Sequence, residues 1–225
     1  MTFLELVQRL HQEAGMSGTS PTTVLTPVGE TKRAVAWILS AYDSIQNERK
    51  GWAFLIDDFS FATIGAQQEY DPTDATIITD QDLSSWVLES VKVYSAAADE
   101  NFLGYATWRD FNDLYKISSF RTSTGRPSVF SITPAKKMAL WPIPDAVYTV
   151  NGQYRKKVGT MTLDASEPIF PGEYHMAIVW RALMLYAGYE EAQTVYAHAS
   201  GEYNKLMVAM RRDQLPPICW GRTLA

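Results

Sequence analysis

Three histidines (His11, His175 and His198), one thiol (Cys219) and one adjacent carboxylate pair (Asp57-Asp58) are the side chains from which a reactive centre could be built. Acid–base or nucleophilic chemistry needs such groups to converge within hydrogen-bonding reach of one another. Each histidine falls in a stretch of helical periodicity. No His-x-x-x-His or Glu-x-x-His spacing puts two metal ligands on one helix face, so each reads as a structural histidine. Neighbouring residues of an extended chain point to opposite faces, so Asp57 and Asp58 cannot share a metal from a strand and read as a solvated turn. Cys219 stands beside Trp220 in the last seven residues, far from any expected rigid element. Gly-x-Ser-x-Gly, Gly-x-x-x-x-Gly-Lys-Ser/Thr and Gly-x-Gly-x-x-Gly are all absent, leaving no nucleophile elbow and no phosphate cradle. The expectation is a protein with no catalytic centre, no metal and no cofactor.

Composition narrows the class. The chain has 225 residues, of which 46% are hydrophobic and 12% aromatic, enough to bury a sizeable core in one domain or one domain with an insertion. Lys and Arg number 20 against 25 Asp and Glu, a formal charge of −5 that excludes a generic basic nucleic-acid binder. A single cysteine forms no internal disulfide and no multi-thiolate site, which suits a cytosolic place of assembly. Nothing resembles an export signal, and no segment approaches the roughly 18 consecutive apolar residues of a membrane span, so a soluble chain is expected.

Helices are expected at both ends. Thr2-Phe3-Leu4-Glu5 is a capping box, after which Phe3, Leu6, Val7 and Leu10 recur at helical spacing until Gly15 stops the helix. Residues 16–28, rich in Gly, Ser, Thr and Pro, read as a loop. From residue 29 to 49, Val35, Ile38, Tyr42 and Ile45 mark a stripe with Ala34, Trp37 and Ala41 beside it, a wide arc expected to be contacted on two sides. Residues 173–189 are apolar around most of their circumference and predict a central helix. A last helix, 190–212, presents Val195, Ala199, Tyr203, Leu206 and Met210, with Arg211 and Arg212 at its negative end.

Between them the texture is that of sheet. Residues 52–56 and 59–64 are aromatic and β-branched, and 86–94 put Val87, Val91 and Val93 on one parity. Residues 103–115 fit a short helix with an aromatic face. Residues 125–155 predict three short strands, with Pro127, Pro134, Pro142 and Pro144 at strand ends because proline donates no ladder hydrogen bond. Asn151-Gly152 fits either a tight hairpin turn or an uninterrupted strand carrying a glycine. Basic clusters at Lys136-Lys137, Arg155-Lys156-Lys157 and Arg211-Arg212 read as solvated strand edges and a helix cap. Leu215-Pro216-Pro217 stops the last helix, and Ile218, Trp220 and Leu224 follow in a segment too short to bury them alone, which reads either as an arm that needs a partner's groove or as a flexible tail.

Several strings make the chain similar to the head-to-tail adaptor, or connector, proteins of tailed bacteriophages. They are Phe3 to Gly15 with the loop behind it, Ser44-Ile45-Gln46-Asn47, Gly125-Arg126-Pro127, Leu140-Trp141-Pro142-Ile143-Pro144-Asp145 leading to Tyr148 and Tyr154, and Asp213-Gln214-Leu215-Pro216. The resemblance implies an α+β fold: an antiparallel helical bundle from 1–50 and 171–212, a β-rich insertion over 51–170, and a C-terminal docking arm over 213–225. It further implies a structural virion protein at the neck, assembled in the host cytoplasm. Such a protein forms a ring, commonly of twelve copies, beneath the portal protein, with tail or nozzle proteins below. Double-stranded DNA would pass through without sequence-specific binding, no membrane is involved, and Leu215, Pro216, Pro217, Ile218, Trp220 and Leu224 would dock on the portal. An acidic lumen would repel the DNA backbone and let it slide. Two other readings stay open on sequence: a tail-tube, tail-terminator or head-completion protein, and a small α+β enzyme without linear motifs.

Overall fold

The computed structural model describes residues 1–74, 76–78, 82–96 and 99–216. In chain order the elements are α1 (Phe3–Glu13), α2 (Gly29–Glu48), β1 (Ile56–Ala62), β2 (Glu69–Tyr70), β3 (Leu83–Tyr94), β4 (Asn101–Phe102), β5 (Gly104–Tyr105), α3 (Trp108–Tyr115), β6 (Val129–Ile132), β7 (Met138–Trp141), β8 (Thr149–Lys156), α4 (His175–Tyr189) and α5 (Gln193–Gln214). The fold is α+β. It divides into two compact units, one made of residues 1–54 with the chain from 158 onward, the other of residues 55–157.

In the first unit, α4 packs against α1, α2 and α5. It buries Ala177, Ile178, Val179, Ala182, Leu183, Met184 and Ala187, which is why its sequence shows so little amphipathicity. The α1 capping box is complete: Thr2 Oγ1 accepts from the Glu5 amide and Glu5 Oε2 accepts from the Thr2 amide. Gly15, at φ +60°, takes the left-handed turn that ends the helix. The loop 16–28 is held down by polar clasps. Gln8 Nε2 donates to Pro21 O, while the Asp164 carboxylate accepts from Thr23 Oγ1 and from the Val24 amide. Gln46, fully buried on α2, binds Gly159 reciprocally, donating to its carbonyl at 3.0 Å and accepting from its amide at 2.9 Å. That satisfies a polar side chain whose burial unpaired would be costly.

The second unit holds two four-stranded sheets, ordered β1-β8-β3-β4 and β2-β7-β6-β5. One core, including Phe59, Phe61, Trp86, Val93, Phe130, Leu140, Val150 and Tyr154, draws on strands of both. β8 lies antiparallel between β1 and β3. Between the pairs Val87–Gln153 and Lys92–Asn151, β3 has four residues where β8 has only Gly152. Ser90 Oγ seals this bulge, accepting from the Gln153 amide and donating to the Val87 carbonyl, each at 2.7 Å. Opposite it, a Cβ on Gly152 would stand 3.0 Å from the Phe59 ring, so any larger residue requires that ring to shift.

Several sequence expectations need correction. Residues 53–55 form a 3-10 turn, not a strand, because the Trp52 ring turns back, stacking on Phe54 and donating Nε1 to Ile45 O. Asp57 and Asp58 sit within β1, not in a turn. The bulge breaks the expected parity of β3: Val91 and Val93 are buried with Trp86, while Val87 is only half-buried. The helix expected from residue 103 begins at Trp108, after β5, and the open alternative at Asn151-Gly152 resolves to a continuous strand. Residues 172–174 are a 3-10 turn ahead of α4, and α5 starts at Gln193 because Glu191, at φ +56°, breaks the chain between the helices. Along α5 the fully buried residues are Ala199, Met207 and Met210, with Val195, Tyr203 and Leu206 half-buried, because one face only is covered by α4.

Candidate assembly surfaces

Of the residues expected to dock on a partner, Leu215 and Pro216 are described, and Pro217, Ile218, Trp220 and Leu224 lie outside the described residues, as does Cys219. Leu215 is half-buried and Pro216 exposed. The Leu215 amide still donates to Arg211 O at 3.2 Å, and both side chains lie over Gly51, 3.9 and 4.0 Å from where a Cβ there would stand. One turn back, Arg211 Nε donates to Glu48 Oε1 at 2.9 Å, and Nη2 reaches the same oxygen. This charge-assisted pair ties the end of α5 to the end of α2. The Tyr203 phenol is pushed above its ordinary range by burial and by the Glu48 charge, and the Arg181 guanidinium stands 5.8 Å from its ring. The Tyr174 phenol is likewise raised, by desolvation and then by the Asp213 carboxylate beside it. Sequence reasoning marked Arg211 only as a helix cap. Glu48 lies 163 positions away, and no local pattern pairs the two.

The groups that could do chemistry are dispersed. His175 is buried, its Nε2 donating to Phe170 O at 3.0 Å and its Nδ1 facing the amino terminus at 2.8 Å. Burial lowers its pKa below 6.5. His198 is exposed, edge-on to Trp180, and His11 is half-buried on α1. Asp57 binds Lys156 at 2.6 Å and accepts from the Asp58 amide, contacts that lower its pKa in that order. Lys136 donates to Ser84 O, and Lys137 pairs with Asp71 at 3.1 Å, as charges at a strand edge do. Among the described residues, no group of three or more His, Cys, Asp or Glu is placed to hold a metal ion. A concavity of about 590 Å³ on the outer face of β1, β8 and β3 is lined by Asp58, Ser60, Lys92, Asn151 and Gln153 with Phe102 at its rim. It brings together one carboxylate and one amine, without a histidine or a thiol.

What the surface does offer is apolar. In the helical unit Leu25, Val28, Leu163, Tyr196 and Val208 stand between 46% and 79% exposed, and in the sheet unit Ile64, Phe102, Leu114, Ile117, Phe120 and Val147 between 52% and 68%. Side chains of this size left in water are apolar area that a partner could cover. No helix among the described residues is long and apolar enough to cross a membrane.

The fold is thus two compact units, with no metal-holding group assembled among the described residues. The family model of the SU10 adaptor protein matches residues 1–219, and the chain belongs to that family: it is a bacteriophage adaptor protein, as its sequence strings led us to expect. No curated protein matches the chain.

Proposed function

We propose that this adaptor is a head-to-tail connector of the virion neck. Copies of the chain, commonly twelve in such proteins, form a ring beneath the portal. The ring extends the DNA channel and presents the platform on which tail or nozzle proteins assemble. The observation that carries this reading is the adaptor family match over almost the whole chain, and the exposed apolar side chains on both units are available for such contacts. The helices of residues 1–50 and 171–212 form the bundle, residues 51–170 the β-rich insertion, and residues 213–225 the docking arm. Leu215, Pro216, Pro217, Ile218, Trp220 and Leu224 are its docking residues.

Ring closure by one copy after another requires heterologous contacts, in which two different faces of the chain meet, and the portal supplies the template that fixes the number of copies. With a net charge of −5, acidic side chains facing the channel would repel the phosphate backbone, so that DNA passes without sticking. No reaction and no cofactor enter this role. Co-expression with the portal protein of the same phage, followed by electron microscopy of the purified portal, tests it. The expected result is a second ring stacked on the portal, lost when residues 215–225 are deleted. A bare portal, or this chain found capping a tail tube, overturns it.

A further inference from the structure

We propose that the last turn of α5 is a clamp that aims the chain beyond Pro216. Glu48, Arg211, Asp213 and Tyr174 fix the departure point of the arm, so Asp213-Gln214 at its root positions the docking residues that begin at Leu215. The docking consequence rests on the connector reading; the clamp itself rests on geometry.

Three contacts hold this turn from three places in the chain. Arg211 reaches back to Glu48, the last residue of α2, through two nitrogens on one carboxylate oxygen. Asp213 stands against the Tyr174 phenol in the turn that precedes α4. Leu215 and Pro216 rest on Gly51. The ion pair has side chains 37% and 24% exposed, and a pair of that kind contributes little to stability. The helical unit, with α4 buried among three neighbours, does not depend on it. Its effect falls instead on direction. A segment leaving from a fixed point with a fixed heading has less conformational freedom to lose when it is captured, and preorganisation of this kind appears as affinity. The four-residue string that marks the family resemblance at this point thereby acquires a physical role, with Asp213 holding the turn from one side and Leu215 from the other.

The test separates the clamp from the connector reading. Spin labels on Ser40→Cys and Pro216→Cys, both exposed positions, in a Cys219→Ser background report the heading by pulsed dipolar spectroscopy, with labelled protein diluted in unlabelled. The clamp predicts a narrow distance distribution in the parent and a broadened one in Glu48→Gln and Asp213→Asn. The exchange pair Glu48→Arg with Arg211→Glu should restore the narrow one. Equal widths in parent and variants overturn the clamp, whatever the portal does. Capture by the portal is measured in parallel. The single variants should bind about five- to tenfold more weakly, the exchange pair should recover, and the exposed control Lys205→Ala should not change. Melting temperatures of all variants, near that of the parent, exclude unfolding as the cause. Broadened distributions with unchanged portal binding overturn the docking consequence. A parent that does not bind the portal at all overturns the connector reading and leaves the spin-label result to decide the clamp.

Discussion

The helical unit and the sheet unit hold their chains together by different means. In the sheet unit, strands from two sheets share one aromatic and aliphatic core, and side-chain clasps such as Trp86 Nε1 to Lys136 O and Thr63 Oγ1 to Ala146 O supplement the ladder hydrogen bonds between paired strands. In the helical unit, segments far apart in sequence are fastened by single side chains: Gln46 to Gly159, Asp164 to Thr23 and Val24, Tyr42 to the Ile169 amide, Glu48 to Arg211. A shared core spreads its stabilisation over many contacts and fails when volume is lost. A clasp concentrates it in one donor and one acceptor, and fails when either is left unpaired in a dry place.

Two substitutions break the comparison from opposite sides. Phe130 is fully buried in the sheet core, and Phe130→Ala should destabilise that unit by about 3–5 kcal/mol, from lost apolar burial and the cavity left behind. Urea unfolding followed by fluorescence should show the sheet transition moving to lower denaturant. An unchanged transition would mean that the two-sheet core is not the unit's source of stability. In the helical unit, Gln46→Leu keeps the volume and leaves the Gly159 amide and carbonyl without partners, at a cost of about 1–3 kcal/mol. Hydrogen exchange should show the Gly159 amide losing protection while the sheet core keeps its own. Loss confined to the sheet unit would contradict the division of labour drawn here.

The same contrast explains which parts of the molecule could be read from sequence. Helical periodicity and strand texture are local, and they located α1, α2, α4 and α5 and the strands β6 to β8 with prolines outside the strand interiors. The capping box of Thr2 and Glu5 was legible because its two partners are three residues apart. The clasps were not, since Gln46 and Gly159 are 113 positions apart and neither carries a pattern that names the other. The bulge in β3 was invisible for a related reason. Its seal is the Ser90 hydroxyl taking the place of a backbone carbonyl, and its counterpart is a glycine on a different strand, crowded by the Phe59 ring. Trp52 misled because an aromatic run favours strands in general, whereas this indole finds its carbonyl acceptor seven residues back, at the end of a helix. The arm stands as a reading of composition, three large apolar residues after two prolines, and from Pro217 onward it lies outside the described residues. Its root was not legible, since the partners of Arg211 and Asp213 lie on α2 and before α4.

Acid sharpens the comparison in a third way, with the smallest effect, because the two units titrate in different windows. In the sheet unit, Asp71 and Asp99 are each held down to about 2. For Asp71 the amide and hydroxyl of Thr73 are the main cause, with Lys137 adding to them; for Asp99 it is the Ser95 hydroxyl and the Ala96 amide, with Arg126 beside it. Carboxylates lowered in the fold contribute stability that is complete above their unfolded pKa, about 3.9, and lost as pH falls toward 2. In the helical unit the group is His175, lowered first by desolvation and also by the neighbouring amino terminus, against the raising effects of the Phe170 carbonyl and Glu167. A histidine lowered in the fold is protonated more readily in the unfolded chain. Stability is therefore complete above about 6.5 and declines as pH falls from there toward the folded value. Protonation would also place a second positive charge against the amino terminus that Nδ1 now faces. The helical unit should accordingly lose stability between pH 7 and pH 5, where the sheet unit does not change. His175→Gln, which keeps a donor for Phe170 O and has no proton to gain, should flatten that loss. Melting curves of parent and variant compared at pH 7 and pH 5 decide it. Parallel losses would show that His175 is not the group through which the helical unit senses acid.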